Sequence, residues 1–77
     1  MRVQVFAALK EHFEPVFEVA EKVTSVEELK QLLSRSKPGA QSILNSCRFV
    51  VNDTFIQDDF KFQEHDTIFI IPPSSGG

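Results

Sequence analysis

The spacing of apolar and polar residues predicts a β-hairpin at the start of the chain. Residues 1–7, MRVQVFA, alternate with a period of two, so that Val3, Val5 and Ala7 share one face. This pattern is typical of a half-buried strand. Residues 15–20, PVFEVA, are short and β-prone, and they follow closely enough to form the second arm of a hairpin.

The segment TSVEELKQLLSR predicts an amphipathic helix after the hairpin. Ser25 and Glu28 have the spacing of a capping box, in which each side chain bonds the other residue's free backbone N–H. Pro38-Gly39 ends the helix, and residues 40–46 are compatible with a further helical turn. Helical spacing places four apolar side chains on one face, namely Val26, Leu29, Leu32 and Leu33.

The second half of the chain predicts further strands separated by two turns. Residues 47–52, CRFVVN, form one strand, residues 55–62 offer one or two short strands, and residues 67–71, TIFII, are the most apolar segment of the chain. The turns are predicted at Asn52-Asp53 and His65-Asp66. The resulting order is β-β-α-β-β-β in a single domain of residues 1–71.

This order of elements predicts an α+β fold of the β-grasp, or ubiquitin-like, type. A helix with one apolar face must bury that face against one side of a sheet, which leaves the other side open. The first and last strands are both apolar and rich in β-formers, so we predict that they form the central pair. The sheet is therefore expected to be mixed, with the main helix on one face.

Composition excludes several classes of protein. The chain has 77 residues, a net charge of -3 and scattered Lys and Arg residues, so a nucleic-acid partner is not expected. The longest apolar run covers only residues 68–71, far below the ~20 residues that a bilayer requires. No signal peptide is recognisable. We therefore expect a cytoplasmic protein without a membrane partner.

Several segments together resemble a known family along the whole chain. They are a first strand VFA leading into Lys10-Glu11, the capped helix SVEELKQLL, a strand ending in VVN, and the closing pattern D-x-I-x-I-I-P-P-x-x-G-G. In this order they resemble the small subunit of molybdopterin synthase, a ubiquitin-like sulfur carrier. Two residues depart from the family pattern, which usually has Arg at Lys10 and Gly at His65. The turn at His65 is expected to favour a positive φ.

The end of the chain carries the candidate chemistry. The two prolines cannot donate ladder hydrogen bonds and favour an extended course, so residues 72–77 are predicted to form a flexible tail projecting from the domain. Two terminal residues without Cβ can thread a channel too narrow for a side chain. The tail expected to insert into a partner comprises Pro72, Pro73, Ser74, Ser75, Gly76 and Gly77.

The resemblance implies how this tail works. A separate E1-like enzyme would use ATP to adenylate the carboxylate of Gly77, which is then converted to a thiocarboxylate. This group would donate sulfur to a pterin precursor inside the large catalytic subunit, in a heterotetramer. The chain would be a consumed co-substrate that binds no cofactor or metal. The alternatives are a thiazole-pathway sulfur carrier, a ubiquitin-like protein modifier, and an interaction domain with an inert tail.

A second candidate site is an apolar patch on the uncovered face of the sheet. Alternation puts Phe6, Phe69 and Ile71 opposite the residues that face the helix. Such a patch on a small protein marks a partner surface, and the resemblance adds Lys10 as a charged contact. A covering loop, or a register shifted by one residue, would remove the patch.

The remaining reactive residue types are interpreted as structural. Cys47 is the only cysteine, which excludes an internal disulfide, and we expect it to pack without a base or cation beside it. His12 and His65 lack metal-ligand spacing and are expected at the surface. An acidic rim exposed to solvent is predicted from Asp58, Asp59, Glu64 and Asp66.

Overall fold

A five-stranded mixed sheet organises the computed structural model, which describes residues 1–73. The strands are β1 (Arg2–Val5), β2 (Val16–Glu18), β3 (Arg48–Val51), β4 (Thr54–Ile56) and β5 (Thr67–Ile71). The helices are α1 (Val26–Ser36) and α2 (Gln41–Ser46), with 3-10 helices at Ala7–Glu11 and Pro38–Ala40. The predicted β-grasp order is confirmed, and the helical turn after Pro38-Gly39 is present as well.

The first and last strands lie next to each other at the centre of the sheet, as predicted. The strand order is β2-β1-β5-β3-β4. β1 and β5 are parallel, with Val3 opposite Ile68 and Val5 opposite Ile70, whereas β3 runs antiparallel to β5 on its other side. The carboxyl ends of β1 and β5 and the amino end of β3 therefore meet at one end of the sheet.

The hydrophobic core lies between the sheet and α1, and we call this side of the sheet the closed face. The sheet contributes Val3, Val5, Ile68 and Ile70, each at most 1% exposed. The helix contributes Val26, Leu29 and Leu33, while Leu32 is only half-buried at the edge. Three of the four predicted helix residues thus form the core, because the apolar stripe of α1 is narrower than expected.

The first strand is shorter than the alternation predicts. β1 ends at Val5, and Ala7 starts a 3-10 helix with a φ of 55°. Ala7 is consequently exposed, and Leu9 enters the core in its place with 0% exposure. The prediction for Ala7 was wrong because the chain leaves the extended conformation after Phe6, and the period of two ends there.

The start of α1 differs from the predicted capping box by one residue. The Ser25 hydroxyl accepts a hydrogen bond from the Glu28 N–H at 3.2 Å, as predicted. The Glu28 carboxylate accepts from the backbone N–H of Thr24 at 2.9 Å and from its hydroxyl at 3.0 Å, instead of from Ser25. Ser25 itself forms a β-bridge with Lys61, which ties the helix start to the segment before β5.

Both predicted turns exist, but only the first has positive φ angles. Asn52 and Asp53 have φ values of 53° and 64° in the two-residue loop between β3 and β4, a hairpin geometry that suits these residue types. Within residues 1–73 the only other non-glycine residue with positive φ is Ala7. The expectation for His65 was therefore wrong.

The turn at His65 is closed by its neighbour. The Asp66 N–H donates to the Gln63 carbonyl at 3.1 Å, and the Asp66 carboxylate accepts from the Gln63 N–H at 2.7 Å. These two bonds close the turn without a left-handed residue, so glycine is not required at position 65. None of the helices within residues 1–73 is both long and apolar enough to span a bilayer.

Candidate functional site

The side of the sheet opposite α1 carries a row of residues that crosses all five strands, and we call this side the open face. Strand pairing places Gln4 between Val16 of β2 and Phe69 of β5. It also places Val50 of β3 between Phe69 and Phe55 of β4. Because paired residues share a face, one register row connects both edges of the sheet.

This open face exposes most of the large apolar surface in the described part of the chain. Within residues 1–73 the exposed large hydrophobic residues are Val16 at 48%, Phe55 at 57% and Ile71 at 37%. Val16 and Phe55 lie at the two ends of the register row, and Ile71 lies two residues beyond Phe69 in β5. All three therefore lie on the same side of the sheet. An apolar surface of this kind is a candidate binding site for another protein.

The predicted patch residues lie together within this surface. The rings of Phe6 and Phe69 meet edge to face, with centroids 6.1 Å apart, and both side chains are half-buried. Ile71 follows on the same face of β5, at the end of the strand. No shift of register has occurred, and the three side chains belong to the open face. Their role in binding a partner stays a prediction.

The last strand leads directly into the predicted tail. β5 ends at Ile71, and Pro72 and Pro73 lie outside the strand, the first half-buried and the second exposed. We call Ile71–Pro72 the tail root. Ser74, Ser75, Gly76 and Gly77 lie outside the described residues. Their insertion into a partner is not tested by the structure.

Two cationic residues lie on elements that flank the tail root. Lys10 is exposed in the 3-10 helix that follows β1, and Arg48 begins β3 with Ile71 as its paired residue. The Arg48 guanidinium carbon lies 5.2 Å from the centre of the Phe55 ring, within the range of a cation–π contact. The open face therefore carries a basic group, Arg48, beside the apolar residues where the chain leaves the sheet, whereas Lys10 lines a separate groove with Phe13 and Lys37.

The sequence matches the profile of the ThiS family over residues 3–77. The chain belongs to the ThiS family. It is thus a ubiquitin-like sulfur carrier, and the predicted resemblance to carriers of this type is confirmed. The matched region includes the Gly76-Gly77 end as well as the β-grasp domain.

This ThiS-family chain is also similar to two solved structures. It is 27% identical to a chain of the complex of subunits 1 and 2 of molybdopterin-converting factor from Helicobacter pylori 26695, covering 99% of this chain and 96% of that one with a TM-score of 0.69. The putative molybdopterin converting factor subunit 1 from Pyrococcus furiosus matches with a TM-score of 0.71, 14% identity and 94% coverage of both chains. At that identity the second likeness supports the fold alone.

Two open-face residues of this ThiS-family chain were missed in the sequence. Val16 and Phe55 extend the predicted patch to both edge strands. A signal for Phe55 was present, since a two-residue loop at Asn52-Asp53 pairs Val51 with Thr54 and therefore Val50 with Phe55. No comparable turn fixes the register of Val16, because a 3-10 helix separates β1 from β2.

Cys47 has the environment of a packing residue. Its thiol donates a hydrogen bond to the Ile43 carbonyl oxygen at 3.1 Å, and it contacts the core from a half-buried position. Burial raises the pKa of Cys47 to about 11, and the charge of Lys30 opposes this increase without cancelling it. The expectation that no cation lies nearby was therefore wrong, but the thiol remains protonated and weakly nucleophilic near neutral pH.

The two histidines and the acidic residues also lack the surroundings of a catalytic or metal-binding site among residues 1–73. His65 is exposed, whereas His12 is half-buried beside Gly39, where an added Cβ would lie 3.4 Å from the imidazole Cε1. No group of three or more potential ligands for a metal ion occurs among residues 1–73. Asp66 was wrongly assigned to the solvated acidic rim, since it is 7% exposed and bonds to Gln63. Asp58 forms an ion pair with Lys30 at 3.6 Å.

Proposed function

We propose that this chain is the sulfur-carrier subunit of molybdopterin synthase and that the carboxylate of Gly77 is the carrier group. The observation that carries the proposal is the family match, which continues through the Gly76-Gly77 end. The end of β5 at Ile71 supports it, because six residues then follow the last strand. Six residues reach at most about 20 Å from the sheet, enough to enter a buried active site of another protein.

The first step would activate the carboxylate in a separate E1-like enzyme. An oxygen of the Gly77 carboxylate attacks the α-phosphorus of ATP, and pyrophosphate leaves. A sulfur donor at the oxidation level of sulfide then attacks the acyl carbon, and AMP leaves with the bonding electron pair. The product is a thiocarboxylate on Gly77, a soft anionic nucleophile. This chain supplies the acyl group, and no side chain among residues 1–73 is assigned to these steps.

The second step would transfer the sulfur to the pterin precursor. The thiocarboxylate sulfur attacks a carbon of the precursor in the pocket of the large subunit, and a carbon–oxygen bond at that carbon breaks, with its oxygen leaving with the electron pair. Water then cleaves the bond between the acyl carbon and sulfur, which leaves the sulfur on the precursor. Gly77 returns to a carboxylate and can be charged again. Because a dithiolene contains two sulfur atoms, two charged carriers are consumed for each product. The chain is therefore a co-substrate, and the catalytic pocket belongs to the large subunit.

The open face would bind the large subunit. The Helicobacter pylori protein is described as a complex of subunits 1 and 2, which supports a large-subunit partner for this chain too. Phe6, Phe69 and Ile71 form the centre of the proposed interface, and the family resemblance adds Lys10, in the 3-10 helix after β1, as a charged contact. The exposed side chains of Val16 and Phe55 would widen the contact to both sheet edges. The expected assembly is a heterotetramer.

Intact mass spectrometry of Gly77 variants tests the carrier role. Deleting Gly77, or adding one residue after it, should abolish sulfur transfer, while thermal unfolding hardly changes because no core residue among residues 1–73 is altered. The charged parent should differ from the uncharged one by the mass difference between sulfur and oxygen. Cys47→Ser is the matched control and should still be charged at Gly77, because its thiol is not part of the chemistry.

The same measurements separate the alternatives. Full transfer activity in an extended chain that cannot be trimmed would refute the terminal carboxylate as carrier. Loss of the mass shift in a folded Cys47→Ser protein would assign the chemistry to the cysteine. A protein modifier would yield conjugates far heavier than the carrier, and a thiazole-pathway carrier would be charged without supplying sulfur to the pterin precursor. An interaction domain with an inert tail would acquire no sulfur.

A further inference from the structure

We propose that Arg48 binds a carboxylate of the large subunit beside the tail root and thereby selects the partner that accepts the tail. This inference rests on the proposed function, because it assumes that a partner encloses Gly77. It adds an electrostatic requirement to the apolar contact of the open face.

Arg48 lies next to the tail root on the open face of the sheet. Arg48 is the first residue of β3, and its paired residue Ile71 is the last residue of β5. The next residue, Phe49, is 4% exposed and faces the core, so alternation puts the exposed Arg48 on the open face. The guanidinium therefore belongs to the surface from which the tail departs.

The contact with Phe55 holds this side chain in place. The Arg48 guanidinium carbon lies 5.2 Å from the centre of the Phe55 ring, and the ring itself is 57% exposed. Stacking on an aromatic ring restricts a long, flexible side chain before a partner arrives. Less conformational entropy is then lost on binding. Arg48 and Phe55 thus form a preorganised corner of the open face.

The charge of Arg48 has no ion-pair partner within residues 1–73. The ion pairs in this part of the chain join Arg2 to Glu18 at 3.1 Å and Lys30 to Asp58 at 3.6 Å. Asp58 and Asp59 line the same groove of about 740 Å³ as Arg48, but neither forms an ion pair with it. The guanidinium remains available for a bidentate bond to a carboxylate from outside.

The charge of Arg48, which is unpaired within residues 1–73, should determine which partner can bind the surface around the tail root. The tail reaches at most about 20 Å, so a partner that encloses Gly77 must also cover the sheet surface around the tail root. Covering Arg48 removes water from a charged group, which is unfavourable unless an opposite charge replaces the water. A partner with a carboxylate at this position is therefore accepted, and a partner with an apolar or basic residue there is rejected.

Isothermal titration of the uncharged carrier against the large subunit of the same organism tests the inference. Arg48→Gln keeps most of the stem but removes the charge, and it should weaken binding at least about thirtyfold. Arg48→Lys keeps the charge but loses the planar group that stacks on Phe55 and binds a carboxylate through two bonds, so it should recover only part of that loss. The matched control is Arg35→Gln at the exposed end of α1, on the opposite side of the domain from the open face, which should bind within about threefold of the parent.

Salt and charge exchange complete the test. The difference between the parent and Arg48→Gln should shrink only modestly at high salt, because salt screens an ion pair that the partner covers less than it screens an exposed one. Arg48→Glu should regain affinity when the opposing carboxylate of the large subunit is changed to Lys. Binding of Arg48→Gln within about threefold of the parent overturns the inference and leaves the proposed function intact. A parent that does not bind the large subunit overturns both, and thermal melts of each variant establish that it is folded.

Discussion

Strand β5 presents two different surfaces with residues of similar hydrophobicity. On the closed face Ile68 and Ile70 are 0% exposed under α1. On the open face the half-buried Phe69 alternates with Ile71, which is 37% exposed. The strand TIFII is apolar on both sides, yet the domain's main helix covers only one of them. The apolar content of a strand therefore does not reveal how many of its residues serve folding.

Mutations on the closed face should change the free energy of unfolding, whereas mutations on the open face should change the affinity for a partner. Removal of a closed-face side chain leaves a cavity in the core and lowers the free energy of unfolding. Removal of an open-face side chain should take away area that we propose contributes to association, and the isolated domain should remain folded. Measurements of unfolding and of binding on the same variants therefore separate the two faces.

Ile70→Ala should have the largest effect on stability. The side chain is fully buried and pairs across the sheet with Val5 and Phe49, so truncation should cost about 2–5 kcal/mol of unfolding free energy. That is a large fraction of the stability of a typical small domain. Chemical denaturation followed by circular dichroism measures it. A loss below about 1 kcal/mol would mean that the closed face is not the core.

Phe6→Ala should weaken binding of the large subunit by about 2 kcal/mol, roughly thirtyfold, while the domain stays folded. Truncation also removes the edge contact with Phe69, which contributes about 1 kcal/mol to stability. Titration calorimetry and thermal melts measure the two quantities on one sample. An unfolded variant, or one that melts and binds like the parent, would contradict the assignment of Phe6 to the interface.

Phe60→Ala is the matched control for Phe6→Ala. Phe60 is also half-buried and also has one aromatic neighbour, Phe62, at 5.9 Å, but it packs against the core instead of the open face. We expect Phe60→Ala to lower stability and to leave the affinity of the folded fraction unchanged. Equal losses of affinity in the two variants would remove the distinction between the faces.

Ser25→Ala tests how much the N-cap of α1, the helix that covers the closed face, contributes to stability. Its hydroxyl accepts the Glu28 N–H at 3.2 Å, and loss of such an N-cap costs about 1 kcal/mol of stability. Ser36→Ala, at the exposed end of the same helix, is the control and should change stability by less than about 0.5 kcal/mol. Urea melts compare the two, and equal midpoints would show that the cap adds nothing. Binding through the open face should be unaffected in both.

The smallest expected effect is a pH dependence at the same helix start. The backbone N–H of Thr24, followed by its hydroxyl, holds the pKa of Glu28 below its ordinary value of 4.5. A carboxylate whose pKa falls on folding stabilises the protein above the unfolded-state pKa, and this contribution is lost as the pH decreases through the folded-state value. Thermal melts below pH 5 should therefore show a shallower acid-induced loss of stability in Glu28→Gln than in the parent.

Glu27→Gln is the control, since no hydrogen bond of its carboxylate is present within residues 1–73. A parent-like acid profile in Glu28→Gln would contradict the role of Thr24.

The sequence was sufficient for the elements whose periodicity is uninterrupted. Alternation in residues 67–71 correctly separated Ile68 and Ile70 from Phe69, and helical spacing identified Val26, Leu29 and Leu33 as core residues. It failed at Ala7, where a left-handed residue ended the alternation. An Ala is no signal for such a conformation, because it is sterically disfavoured there.

The parts that depend on contacts between distant segments were less predictable. Asp66 looks like one of several surface acids, and only the turn at Gln63 explains its burial. The open-face position of Val16 depends on its pairing with Gln4, which no local pattern determines. The candidate site was likewise predictable only where local alternation determines it. The patch at Phe6 and Phe69 followed from alternation, whereas its extent and the corner at Arg48 required the three-dimensional register.

The position of β5 has a consequence for how the protein is made. β5 occupies the middle of the sheet, between β1 and β3, although it is the last strand to be synthesised. During translation the β1–β2 and β3–β4 hairpins cannot pair with each other, because β5, the strand between them, has not yet been synthesised. The edges of β1 and β3 remain unpaired until then. Such a late, long-range pairing slows folding relative to local contacts. A chain that stops before residue 67 lacks this strand and cannot complete its sheet, so the domain can fold only after β5 has been synthesised.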